Sequence, residues 1–162
     1  MFGISPLGWV HTLGSLPAIP LAAYMFIRYG RIVPESKAGK VYFYSMLIGA
    51  LSVFLVAKQP ASHIAAIVTL VFLFVGFFVS KLLKNSWTEY IETICLTITT
   101  FFLMLPTISE TLRRVPDGHP LVTDMKDPLL VGAQLAIFIA LIAGLSVQIW
   151  YLRKQRRGLY KL

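Results

Sequence analysis

Two histidines are the residues of this chain best suited to chemistry. His11 stands in GWVHTLGSLPAIPLAAYMF, residues 8–26, and His63 stands in KQPASHIAAIVT. An ionisable side chain inside or at the rim of an apolar run needs a partner or a ligand, because hydrocarbon offers no water to it. Two imidazoles at matched depth are what a b-type haem takes as axial ligands when it is held in a helix bundle. Gly14, Ser15 and Ala18 follow His11 on its helical face, and Ala66 follows His63 on its own. Small side chains there would leave room for a flat macrocycle between helices. The plainer reading has each imidazole bonding a backbone carbonyl or a headgroup. A zinc or copper site needs more ligands than two histidines, and only Glu110, Asp117 and His119 are available to complete one.

A second pattern follows helical spacing: Thr93, Thr97, Thr100, Met104, Thr107 and Thr111, with Glu89 and Glu92 at one end and Glu110 at the other. Carboxylates facing lipid are costly, so this face is expected to look into a bundle. It serves either helix packing, with threonines bonding their own carbonyls, or a polar lining or proton path. Pro106 would free a carbonyl one turn back, near Phe102, to join such a network. A third stretch, LPTISETLRRVPDGHPL, brings Glu110, Arg113 and Arg114 together before a PDG turn. Paired guanidiniums suit a haem propionate or a lipid phosphate; the alternative is a solvated loop locked by its own charges. Cys95 is the only cysteine, which excludes an intramolecular disulfide and a CxxC motif. No nucleophile–base triad, P-loop, GxGxxG or zinc-peptidase motif is present.

These residues are carried by long apolar segments. The chain has 162 residues, 57% of them hydrophobic and 14% charged, and its mean hydropathy is +0.74. Soluble domains carry about 25% charged residues. The net charge of +8 lies in Lys and Arg residues between apolar runs, a distribution that sets membrane orientation and does not point to nucleic acid. A span requires about 20 mostly apolar residues. Five are expected, at about 9–27, 41–57, 61–80, 90–109 and 129–152, with one sizeable loop at 110–128. Backbone groups in lipid must bond within their own segment, so the spans are helices. The first resembles a signal peptide only superficially. It lacks a basic start and an A-x-A site, and Pro17 and Pro20 should bend it.

Orientation follows from the basic residues. Arg28, Arg31, Lys37, Lys40, Lys81, Lys84, Arg153, Lys154, Arg156, Arg157 and Lys161 fall on one side, against Lys58, Arg113, Arg114 and Lys126 on the other. The N-terminus is therefore expected outside and the C-terminus inside. Trp87, Trp150, Tyr29, Tyr42 and Tyr151 are then anchors of the inner interface and Trp9 of the outer one, and all three histidines lie outside. The expected fold is a single all-α, polytopic membrane domain over residues 1–162 with five transmembrane helices, the first four forming a bundle.

Three of these stretches, WVHTLGSLPAIPLAAYMF, ESKAGKVYFYSMLIGALSVF and SHIAAIVTLVFLF, resemble a predicted bacterial membrane family. It is known by its domain of unknown function 2306 and is similar to the cytochrome b561-like four-helix core. The resemblance covers about residues 8–115. In that pattern a histidine usually precedes the glycine of GKVY by four residues; Glu35 stands there in this chain. The fourth-helix histidine is also missing, and SWTEYIETICLT offers carboxylates instead. The resemblance implies one outer haem or metal site, at His11 and His63, without an inner one. Such a chain would not carry electrons across the bilayer alone.

The leading expectation is a small b-type cytochrome-like subunit, binding one haem b through His11 and His63, with Arg113 and Arg114 beside it, for electron transfer near the outer face. The alternatives are a cofactor-free structural or assembly subunit of a larger membrane complex, and a small transporter using the threonine face and Glu92. The last lacks two similar halves with broken helices. With no soluble domain, an accessory role suits the chain better than that of a stand-alone enzyme. The expected partners are membrane lipids and other membrane subunits or a second copy. A bacterial inner membrane is the expected home, given the family resemblance and the lack of a glycosylation acceptor at the only asparagine, Asn85. The topology has a direct check. A cysteine placed at Tyr160 should resist a membrane-impermeant maleimide in intact cells and react after permeabilisation; labelling in intact cells would reverse the assignment.

Overall fold

In a computed structural model of the chain, which describes residues 5–83, 85, 87–116, 119–156 and 158, the first span is broken where its prolines require it. Helix α1 runs Pro6–Ser15 and α2 runs Ala18–Tyr29. Pro17 has no N–H to continue the ladder, yet its own backbone stays near helical, at φ −60° and ψ −23°. The two pieces therefore form one bent stretch, Pro6–Tyr29. Then come α3 (Lys37–Val56), α4 (Pro60–Leu82), α5 (Thr88–Arg114) and α6 (Pro128–Arg156). Counting α1 and α2 together, the described residues hold five helices long and apolar enough to cross a membrane. Lys84, Asp117, Arg157 and Lys161, used above, lie outside the described residues.

The boundaries differ from expectation for local reasons. Helix α3 starts four residues earlier, because the Ser36 hydroxyl accepts the Gly39 N–H at 2.8 Å and so caps the first turn ahead of Lys37 and Lys40. Helix α5 runs past Pro106 to Arg114, so residues 110–114 are helical and not part of the loop. Around the proline gap, Thr107 donates to the Leu103 carbonyl at 2.6 Å and Ser109 to that of Leu105 at 2.8 Å. Gly30 closes α2 at φ +70°, a left-handed conformation that glycine adopts without steric cost.

Helices α2, α3, α4 and α5 share one core, with α1 resting on α3 and α6 on α5. That core is built from Ala22 and Met25 of α2, Tyr42 and Met46 of α3, Leu73 and Phe77 of α4, and Leu96 of α5. Tyr42 is fully buried, so it is no interfacial anchor. Its hydroxyl meets those of Thr99 at 2.8 Å and Thr100 at 3.1 Å.

Small residues set the spacing between helices, as they do wherever lipid removes the hydrophobic drive for association. A methyl group at Gly14 would lie 2.6 Å from Ile48 Cγ2, and one at Gly49 would lie 2.8 Å from Ser15 Cβ. Gly14 and Ser15 are thus occupied by the approach of α1 to α3. At Gly39 the added carbon would stand 2.1 Å from the Val33 carbonyl oxygen, a backbone atom that cannot swing aside. At Gly132 nothing lies within 4 Å. Gly39→Ala should therefore abolish or sharply lower the yield of folded protein, while Gly132→Ala should melt within a few degrees of wild type in detergent. Equal melting of the two variants would refute the close approach.

Candidate functional site

Each histidine lies at the same end of α3, and each has a partner there. The Ser52 hydroxyl donates to the Ile48 carbonyl at 2.6 Å, which uses its only proton. Its oxygen then accepts from His11 Nδ1–H at 2.7 Å, leaving Nε2 as the nitrogen with a lone pair. His63 Nε2 lies 3.1 Å from the Ala57 carbonyl, which can only accept, so that nitrogen carries the proton and Nδ1 the lone pair. The His63 ring also stacks on Phe54, 5.6 Å between centroids and 26° between planes. Ser52 and Phe54 are two positions apart, about 200° around a helix, so the imidazoles engage different sides of α3.

The other site residues of this end are held by their own helix. Arg113 Nη1 lies 3.9 Å from Glu110, and Arg114 Nε bonds the same carboxylate. All three side chains are more than a third exposed. Pairs of this kind contribute at most about 1 kcal/mol each. His119 is exposed, and its backbone N–H donates to the Pro116 carbonyl at 3.1 Å. Asp117, the third candidate to complete a metal set, is outside the described residues. Among the described residues no three His, Cys, Asp or Glu side chains gather as a metal site would require.

At the opposite, lysine-rich end the structure assembles a polar network that the sequence pattern did not disclose. Arg31 Nη1 meets Glu92 Oε1 at 2.5 Å, and Nη2 reaches Glu89 at 3.8 Å. The Glu92 side chain is 8% exposed and that of Arg31 23%, so the pair is largely withdrawn from solvent. One residue earlier, the Gly30 carbonyl accepts Gln148 Nε2–H at 2.9 Å, and Gln148 Oε1 in turn accepts the Thr97 hydroxyl at 2.9 Å. The segment after α2 is thereby tied to both α5 and α6. Arg31 counted above only toward orientation, and Gln148 not at all. The available signal was Glu92 itself, since a carboxylate in an apolar run requires a cation. The threonine face does turn inward: Thr93 and Thr97 are buried, Thr100 and Thr107 half-buried, and Thr111 exposed. Thr93 Oγ1 is buried without a hydrogen-bond partner among the described residues.

Comparison with family models, with curated proteins and with solved structures finds no match to the chain. The chemistry must therefore be read from the side chains. Removing one partner of a buried ion pair strands the other, at about 3–5 kcal/mol, whereas apolar replacement of both is often near neutral. Arg31→Met should accordingly lower the melting temperature strongly. Arg31→Met combined with Glu92→Leu should recover most of the loss. A double variant as unstable as the single one would show that the pair does not act as a unit.

Proposed function

We propose that the chain is a structural or assembly subunit of a larger membrane complex, with α6 as its docking element. The observation that supports this is the exposure of that helix. Only 6% of its apolar window is buried, against 33% for each of α3, α4 and α5. Its packing is with α5 alone among the helices it contacts extensively. Along α6, Gly132, Ala136, Ala140 and Gly144 recur every fourth residue, and nothing lies within 4 Å of a methyl group added at either glycine. Two transmembrane helices approach closely through such small residues, gaining dispersion contacts that lipid does not supply as well. The reading places the lysine-rich end in the cytoplasm of a bacterium and the complex in its inner membrane, following the charge asymmetry and the family resemblance given above.

A second reading is favoured by one observation at the histidine end. His11 and His63 each bond a bundle oxygen through one ring nitrogen and keep a lone pair on the other. Metal-bound histidines are held by outer partners in this way. The two free nitrogens are the groups a haem b would take in an electron-transfer role of the b561-like kind, but the rings engage different sides of α3, which opposes a single macrocycle between them. The packing of Gly14 and Ser15 against α3 opposes it, because a macrocycle beside His11 would have to displace α1. A transporter role has less support, since Glu92 is engaged by Arg31.

One sample tests both readings. Native membranes dissolved in mild detergent should carry the chain in a species well above its 18.1 kDa mass. Gly132→Leu with Gly144→Leu should return it to the monomer position without changing its melting. Wild type running as a monomer would overturn the subunit assignment. A Soret band and stoichiometric iron, both lost in His11→Ala and in His63→Ala, would transfer the assignment to the haem reading.

A further inference from the structure

At the lysine-rich end, α3 and α4 leave a cavity of about 310 Å³ between them. Its apolar lining is Phe43 and Tyr44 of α3 and Phe77 and Phe78 of α4, and Lys40 and Lys81 stand at its polar rim. The phenyl rings are mutually packed: Phe43 lies 4.6 Å from Phe77 and 6.0 Å from Phe78 between centroids. Phe74 extends the same surface away from the lysines, 5.7 Å from Phe43 and 6.0 Å from Phe78.

The charge at the rim is unevenly compensated. Lys81 Nζ lies 3.5 Å from Glu35, with both side chains more than half exposed, and 5.6 Å from the centroid of the Phe78 ring. Lys40 is exposed and has no ion pair among the described residues. One carboxylate thus faces two ammonium groups, above an aromatic trough that continues along the helices.

We propose that this groove is a binding site for an anionic phospholipid. One acyl chain lies along Phe43, Phe77, Phe78 and Phe74, and the phosphate sits between Lys40 and Lys81. The trough explains why the occupant is a lipid: a free anion would leave the rings uncovered. The net positive rim explains the preference for an anionic headgroup, since a choline headgroup would bring its own cation against the lysines. Clustered basic residues at a membrane surface strengthen binding of anionic lipid about fivefold per lysine. Glu35 weakens the site by competing for Lys81.

The experiment is native mass spectrometry of the full chain released from nanodiscs that contain equal amounts of phosphatidylglycerol and phosphatidylcholine with identical acyl chains. Wild type should retain phosphatidylglycerol over phosphatidylcholine by about fivefold, the effect of one net positive charge at the rim. Lys40→Ala with Lys81→Ala should bring the ratio near one, Lys40→Arg with Lys81→Arg should preserve it, and Glu35→Gln should raise it. All these side chains are exposed, and unchanged melting will confirm that the variants remain folded. Phe78→Ala should weaken retention of both lipids. Equal retention by wild type, or an undiminished ratio in the double alanine variant, would overturn the site. Displacement of the lipid by millimolar inorganic phosphate would also overturn it, by assigning the lysines to a soluble anion.

Discussion

The arrangement of the helices rests on the contact between Arg31 and Glu92. The guanidinium comes from the segment that follows α2, and the carboxylate from the second turn of α5, so the pair joins elements far apart in sequence. Gln148 adds α6 to the same junction through Gly30 and Thr97. Each group alone would be stranded in a medium of low polarity, which gives the junction its directionality. Apolar contact along the bundle could be satisfied in several helix orders, whereas the Arg31 guanidinium finds its two carboxylates, Glu89 and Glu92, on the first two turns of α5 only. The left-handed turn at Gly30 is part of the same device, because it delivers the carbonyl and the guanidinium from neighbouring residues.

The two ends of the bundle are held by different means. At the lysine-rich end, polar side chains bridge helices. At the histidine end, the approach of α1 to α3 through Gly14, Ser15 and Gly49 brings backbones close, and His11 reaches Ser52 as a consequence. The threonines of α5 belong to both schemes. Thr107 and Thr111 return their protons to carbonyls of their own helix, while Thr97 spends its proton on Gln148.

Much of this architecture was legible in the residues. Five apolar runs of sufficient length give five helices long and apolar enough to cross a membrane, and Pro17 marks the break in the first of them. The inward face of α5 follows from the expense of presenting threonine and glutamate to lipid. What escaped the sequence depends on distance across the bundle. Nothing local shows that Arg31 will find Glu92, or that Gln148 will bridge to Gly30. The small residues beside His11 read equally well as space for a ligand and as surface for a neighbour; the position of α3 decides for the neighbour. The helical state of residues 110–114 was obscured by Pro106, which α5 passes through without ending.

The helices also differ in length. Helix α3 has 20 residues, about 30 Å at 1.5 Å per residue, which equals the hydrocarbon thickness of an ordinary bilayer. Helix α6 has 29 residues, about 44 Å, and so has an overhang. Gln148 pins it to the Gly30 carbonyl, and the surplus at that end carries Trp150 and Tyr151. There Lys154 lies over Trp150 at 4.4 Å, and Arg156 over Tyr90 at 4.7 Å, an amphipathic collar suited to the headgroup layer. A bilayer thickened by a few ångströms would submerge part of this collar while α3 had no spare length to follow. The membrane would then have to thin around α3 while α6 stood at full reach. Hydrophobic mismatch therefore falls on one flank of the molecule, and membrane thickness becomes a variable to which the two flanks respond differently.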